Sequence, residues 1–337
     1  MTFCNLKVLT LSDKDRWYDE LAEANHSVYH TWDYCSALTS QYPAGIKLYV
    51  HQYNAIKQVA TFTERSKTEG FIDLFTPYGY GGIAYTGSDA GQLDALQLFV
   101  NSLREEGAVS CYAMGHPALK GSQRILDLFP ATRSVFLLNL CLQPEEILGG
   151  MAKGHRYEIR RSQKLVESGG IEVSIETDSA LSDLHQLLQI TNERVGASKV
   201  YEFNVATLKN LLMMPQSTLV TARENKELVA ACLFLSNAQT AEYFLSVSTS
   251  SGKSHTRFLI WRAILHLLNH GVTKLNLGGG IEEGDDLHFF KERFGGERLF
   301  VPVVKQIIDY KKFNFLNTEF KSLDKRGEFF PPYWSSP

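Results

Sequence analysis

The sequence predicts an α/β (α+β) protein built of two similar domains, each a mixed sheet flanked by helices. Three observations predict it. The chain has 337 residues, two to three times the ~100–150 residue mode for one domain. One order of elements occurs twice: a hairpin, a third strand, a polar loop, an amphipathic helix and a closing strand. Hydrophobic residues make up 44% and charged residues 21%, the profile of a globular chain and well above the apolar poverty of disorder.

In the first half, IKLYVHQY (46–53) alternates as a strand and KQVATFTER (57–65) follows as its hairpin partner. FIDLFTPY (71–78) reads as the third strand and GYGGIAYTG (79–87) as a loop. An amphipathic helix over 89–106 stops at Gly107, and VSCYAM (109–114) closes the unit. The second half repeats this order. STLVTAREN (217–225) and ELVAACLFLS (227–236) form a hairpin turning near Asn225-Lys226. AEYFLSVS (241–248) is the third strand, TSSGKSHT (249–256) the loop, RFLIWRAILHLLNH (257–270) the helix and TKLNLGGG (273–280) the closing strand. Such hairpins followed by strand–loop–helix–strand define a mixed layer unit. Helical patterns precede each sheet, over 13–24 and 30–42 and then over 144–167 and 181–194. The boundary falls where the strand SVFLLNL (134–140) gives way to a Pro-initiated helix. The expected domains are 1–143 and 144–337, with the last ~25 residues as a segment that packs back on the first.

Charge and cysteine usage exclude several classes. Lys+Arg total 34 against Asp+Glu 37, a net charge of −3. A general polyanion coat would be strongly basic, so anion binding requires a local patch. The start of the chain lacks the apolar run of a signal peptide, and no stretch of about 18 apolar residues spans a membrane. The five cysteines are scattered and odd in number, which disfavours a disulfide framework or a cysteine zinc site and fits a reducing cytoplasm.

Four constellations carry chemistry. Lys153, Arg156, Arg160 and Lys164 are spaced three, four and four residues apart, which places them on one helical face, with Arg161 and His155 adjoining. This patch suits phosphates of a nucleotide-linked substrate or an RNA end, or is a solvated helix face. TSSGKSHT sits between strand and helix but lacks the first glycine of a Walker A loop, with Val247 in its place; an NTPase is rejected, and a ligand loop at a helix start stays open. NLGGG (276–280) fails the G-x-G-x-x-G fingerprint, because Glu283 stands at the third glycine. Its glycines let backbone approach a ligand, and Lys291, between Phe290 and Phe294, is either a surface lysine or a cation near developing negative charge. FTPYGYGG (75–82) offers Tyr78 and Tyr80 to a sugar or peptide, or is a wide aromatic-packed turn. No G-x-S-x-G elbow and no H-E-x-x-H spacing is present.

NLGGG with Asp286-Leu287, Phe290-Lys291 and Phe294-Gly295 resembles the ending of the Fem family of aminoacyl-tRNA-dependent peptidyltransferases and its FemAB-like relatives. The basic helix with Arg160-Arg161 and Lys164 before Gly169-Gly170, the Thr191-x-x-Arg194 pattern, Tyr243 in AEYFLS and the PYGYGG loop are similar to further family segments. The resemblance covers nearly the whole chain. It implies two tandem GNAT-like (acetyltransferase-fold) domains, in agreement with the duplication. It also implies an N-acyltransferase that moves an aminoacyl or acyl group from an activated carrier to an amine. Lys291 would stabilise the transition-state charge. Arg194 and Tyr243 would hold the acceptor, and Tyr78, Tyr80, Asp286 and Gly279 are further candidate substrate-binding residues. Lys153, Arg156, Arg160, Arg161 and Lys164 would meet phosphates of donor or acceptor. No metal or bound cofactor is implied, since charged tRNA (favoured) or acyl-CoA is the donor substrate. The early lysine and the helical arm of the muramyl-peptide enzymes are missing, so cell-wall, polysaccharide and small-molecule acceptors, nucleotide-linked ones included, all stay open. An acyl-CoA-dependent N-acyltransferase and a non-catalytic binding protein on the same duplicated fold are the alternatives.

Overall fold

The computed structural model describes residues 4–87, 91–119, 125–126, 129, 133–197, 201–321 and 329–335. The chain divides into two units, one comprising Met1–Cys35, Tyr42–Thr132 and Val301–Pro337, the other Ser36–Gln41 and Arg133–Phe300. The first contains β1 (Cys4–Leu9), α1 (Lys14–Ala22), the start of α2 (Trp32–Ala37), β2 (Ile46–Tyr53), β3 (Ile56–Arg65), β4 (Ile72–Phe75), β5 (Ile83–Thr86), α3 (Gln92–Ser102) and β6 (Ala108–Met114). The second contains β7 (Arg133–Asn139), α4 (Pro144–Gly150), α5 (Lys153–Glu167), β8 (Glu172–Glu176), α6 (Leu181–Val195), α7 (Val205–Met213), β9 (Ser217–Glu224), β10 (Glu227–Ser236), β11 (Thr240–Ser248), α8 (Thr256–Asn269), β12 (Lys274–Asn276), α9 (Asp286–Glu292) and β13 (Glu297–Val301). The chain then adds β14 (Val303–Ile307) and α10 (Tyr310–Glu319) to the first unit.

Each unit is built on one mixed seven-stranded sheet. The first runs β1-β2-β3-β4-β6-β14, with β5 also on β3, and the second runs β13-β7-β12-β11-β10-β9-β8. The hairpins form as the sequence predicts. Asn225 and Lys226 both take positive φ, at 50° and 73°, the geometry that closes a two-residue turn in step with strand twist.

Three elements differ from the sequence reading. The segment 79–87, read as loop, contains β5, which pairs with Lys57–Ala60 while β4 pairs with Thr63–Arg65 on the same edge of β3. Its glycine-rich flanks hide a strand of only four residues. The single helical pattern over 144–167 is two helices, broken where Met151 and Ala152 are extended (ψ 151° and 147°). Gly149 and Gly150 weaken the helix there, and the Ala152 amide turns away to bond the Arg293 carbonyl at 2.9 Å. The strand over 134–140, read as the last of the first half, belongs to the second sheet, where β7 pairs antiparallel with β12. Its apolar side chains Phe136 and Leu138 join Phe234, Leu275 and Phe294 in the core under α8. That helix buries eight residues around most of its circumference, as its nearly continuous apolar composition requires.

The end of the chain is anchored on a buried carboxylate of the first unit. Asp73 accepts from the Ser110 hydroxyl (2.6 Å), the Tyr333 hydroxyl (2.7 Å) and the Trp334 indole (2.7 Å), and Asp73 and Tyr333 are both fully buried. A hydrogen bond to a buried carboxylate contributes about 1.5–3 kcal/mol. Tyr333→Phe is therefore expected to lower the stability of this unit by about 2 kcal/mol, seen as a lower urea midpoint at unchanged slope. An unshifted midpoint would mean that the C-terminal turn contributes no anchoring. Among the described residues, no helix is long and apolar enough to cross a membrane.

Candidate active site

The second unit brings Lys291, Gly279 and Tyr243 together at the carboxyl end of its parallel strand pair. β11 and β12 pair over only three residues, ending at Glu242 and Asn276. The buried Asn276 amide donates to Glu242 Oε2 (2.9 Å), and its oxygen accepts from the Gly278 amide (2.9 Å). The chain then leaves β11 for β7, with the Leu277 amide on the Phe136 carbonyl (2.9 Å) and the Phe136 amide on the Gly278 carbonyl (3.2 Å). A side chain on Gly279 would run into the Ser134 carbonyl oxygen. The glycine is thus required by this close backbone approach.

The acidic loop that follows is folded on itself. Asp285 caps α9, accepting from the amides of Ile281 (2.7 Å), Glu282 (3.0 Å) and His288 (2.6 Å). Glu283 is held by Ser134 Oγ at 3.0 Å and by Arg298. His288 of α9 and Phe294 just past it pack inward, and Lys291 reaches back to donate to the Gly279 carbonyl at 2.7 Å. Its ammonium lies 5.8 Å from the Tyr243 ring centroid. Burial pushes Lys291 down to about 8, while Asp285 pulls it upward. Tyr243, the first residue of β11 past the paired segment, packs on Phe234 with ring centroids 5.4 Å apart, and burial pushes its hydroxyl well above the ordinary range.

The other predicted residues lie elsewhere. Arg194, exposed at the end of α6, donates to the Ser248 carbonyl (3.1 Å) and hydroxyl (3.2 Å). Ser248 is five residues along β11 from Tyr243, about 17 Å at the strand rise. Asp286 is exposed in the first turn of α9; the capping carboxylate is its neighbour. Tyr78 and Tyr80 belong to the first unit, where the Tyr78 amide donates to the Tyr42 hydroxyl at 2.8 Å and the Tyr34 hydroxyl donates to the Tyr78 carbonyl at 2.5 Å. Tyr80 meets Tyr29 edge to face at 6.5 Å.

The basic helix is sorted by its packing. Lys153 and Arg161 line an open cleft of about 830 Å³, together with Lys253 of the loop before α8, Arg257 of its first turn and Arg293 just past α9. Glu158, paired with Arg161 at 3.6 Å, is the carboxylate among the lining side chains. Tyr157, also in the lining, is 63% exposed. Arg156 instead donates to the carbonyls of Gly149 (2.9 Å) and Met151, satisfying the end of α4. Arg160 and Lys164 are exposed outside the cleft lining. The sequence spacing grouped 153/156/160/164, whereas the cleft selects 153, 157 and 161. Lys253, Arg257 and Arg293 join only through the fold; the Lys253–Arg257 spacing of four was the available signal. Gly252 is also required there, since a side chain would meet the Val229 carbonyl. Among the described residues, no group of three or more His, Cys, Asp or Glu side chains could hold a metal ion.

Residues 153–291, from the first residue of α5 to Lys291, match the family described as acetyltransferase (GNAT) domain. FemX superposes with a TM-score of 0.69 at 12% identity, covering 92% of this chain and 99% of its own. A conserved Bacteroides thetaiotaomicron protein of unknown function gives 0.59 at 10% identity, over 90% and 99% of the two chains. L-PGS from Bacillus licheniformis gives 0.53 at 11% identity, over 88% and 92%. The chain has a tandem GNAT fold. At these identities the solved structures establish architecture alone, and the curated proteins contain no match. In GNAT-fold terms, the Lys291 constellation and the basic cleft both lie on the second of the tandem units.

Proposed function

We propose that this chain is an N-acyltransferase that moves an aminoacyl or acyl group from a phosphate-bearing carrier to an amine, with Lys291 as the catalytic group. The observation that carries the reading is the partly desolvated Lys291 ammonium, fixed on the Gly279 carbonyl at the carboxyl end of β11 and β12. Ligands of open α/β sheets bind outside such strand ends. As the acceptor nitrogen attacks the acyl carbonyl carbon, negative charge grows on the carbonyl oxygen. A cation in a water-poor setting stabilises that charge far more than one in bulk water. The new C–N bond forms, the carrier's C–O or C–S bond breaks, and the amine proton leaves to solvent or to the leaving group.

The cleft supplies the carrier site. Five cations against one carboxylate suit a chain of phosphates, and the exposed Tyr157 ring offers a stacking face to a base. Charged tRNA is the favoured donor and acyl-CoA the other. Arg194 and Asp286 are assigned to acceptor binding, with Arg160 and Lys164 as outlying phosphate contacts and Arg156 as a structural cap.

The test pairs a mixed charged-tRNA pool, or a panel of acyl-CoA thioesters, with amine acceptors and reads products by mass spectrometry. The double variant Lys253→Glu/Arg293→Glu is expected to raise the donor KM at least about tenfold, with the wild-type donor KM itself rising with salt. Donor affinity indifferent to both changes would remove the cleft from the reading. Carrier binding without any product would favour the non-catalytic alternative.

A further inference from the structure

His155 stands between the basic cleft and the helix that carries Lys291. It is buried in the first turn of α5. Its Nε2 lies 2.9 Å from the Phe290 carbonyl oxygen. A carbonyl only accepts, so Nε2 carries the proton. Nδ1 is then the acceptor, and Arg257 Nε donates to it at 3.3 Å. Burial pushes His155 down to about 4, with Arg257 and Arg293 as the facing charges that lower it further. The imidazole is therefore neutral at physiological pH and held in one tautomer from both sides. Phe294 packs edge-on against its ring at 4.5 Å, and Phe290 lies at 5.4 Å.

The Phe290 carbonyl is one of the last four of a helix only seven residues long. Those carbonyls have no partner within the helix, and so short a helix does not hold its shape unaided. Asp285 secures its start, and His155 secures its last turn. The next residue after Phe290 is Lys291.

We propose that His155 is a positioning residue, locking the last turn of α9 so that Lys291 stays on the Gly279 carbonyl, and linking that turn to Arg257 in the cleft wall. This rests on the reading of Lys291 as the group that meets the acyl carbonyl. Without the donor on Phe290, the turn relaxes, the ammonium gains water, and its proton affinity returns toward that of an ordinary lysine.

The pH dependence of Lys291 labelling by acetic anhydride, read by mass spectrometry, tests the lock without any substrate. His155→Gln places an amide N–H near the Nε2 position and should keep the wild-type midpoint near 8. His155→Asn reaches only as far as Nδ1, and His155→Phe fills the space between the two phenylalanines without either hydrogen bond. In both, folded by circular dichroism, the midpoint should rise by about one unit or more. In the transfer assay kcat should fall about tenfold, with donor KM changing less than about twofold and glutamine restoring the rate. An unshifted Lys291 midpoint in either folded variant overturns the proposal. If that midpoint shifts while Lys291→Met still transfers at the wild-type rate, the positioning stands and the functional reading falls.

Discussion

Lys291→Met is expected to lower kcat by about 10²–10³-fold, the scale seen when one preorganised donor to a developing oxyanion is removed. The thermal midpoint should not fall, because methionine keeps an unbranched apolar side chain of similar length and removes a poorly solvated charge. The pH profile carries the same information. Lys291 must be protonated to act, so in the wild type this limb of kcat declines as pH rises through about 8, opposite in sign to the limb from deprotonating the acceptor amine. Stability moves the other way. The folded pKa is depressed below the unfolded one, so between about 8 and the ordinary lysine value the unfolded chain binds more protons. Stability therefore rises with pH across that window, and the Lys291→Met variant should lose this rise. Wild-type turnover in the methionine variant with a productive donor would end the mechanistic assignment.

Gly279→Ala is the second large effect. The added carbon would sit against the Ser134 carbonyl oxygen, a backbone atom of β7 rather than a pliable side chain. Relief requires moving β7 or the turn after β12, both tied by the Leu277–Phe136–Gly278 backbone bonds. Overpacking of this kind costs about 3 kcal/mol, and the Gly279 carbonyl that holds Lys291 would shift with it. Chemical denaturation should show the loss, with transfer falling further than stability alone explains. Gly149→Ala is the matched control, since no atom lies within 4 Å of its new carbon and alanine favours the helix by up to about 1 kcal/mol. Equal effects of the two substitutions would contradict the close-approach reading.

Local periodicity made most strands and the α8 helix legible, because each has an apolar pattern or a glycine stop that acts within a few residues. Lys291 and Gly279 stood out in the sequence as candidates, through the glycine-ended strand and the aromatic frame, and the fold brings the two into contact. Asp285 was not, because Asp286 beside it is chemically identical, and only the backbone direction decides which one caps α9. The cleft was half legible. Helical spacing found the cations of α5 but not that Lys153 and Arg161 face Lys253, Arg257 and Arg293 while Arg156 is turned onto carbonyls.

By itself the sequence determined a duplicated α/β architecture, one basic helix and a lysine after a glycine-ended strand, since these follow from composition and short-range pattern. Tertiary structure alone decided that β7 completes the second sheet and β14 the first, and that His155 bridges Arg257 to the turn before Lys291. The physical reason is range. Strand partners and buried polar bonds are chosen by which surfaces meet after distant segments fold, a choice that no periodicity within one segment encodes.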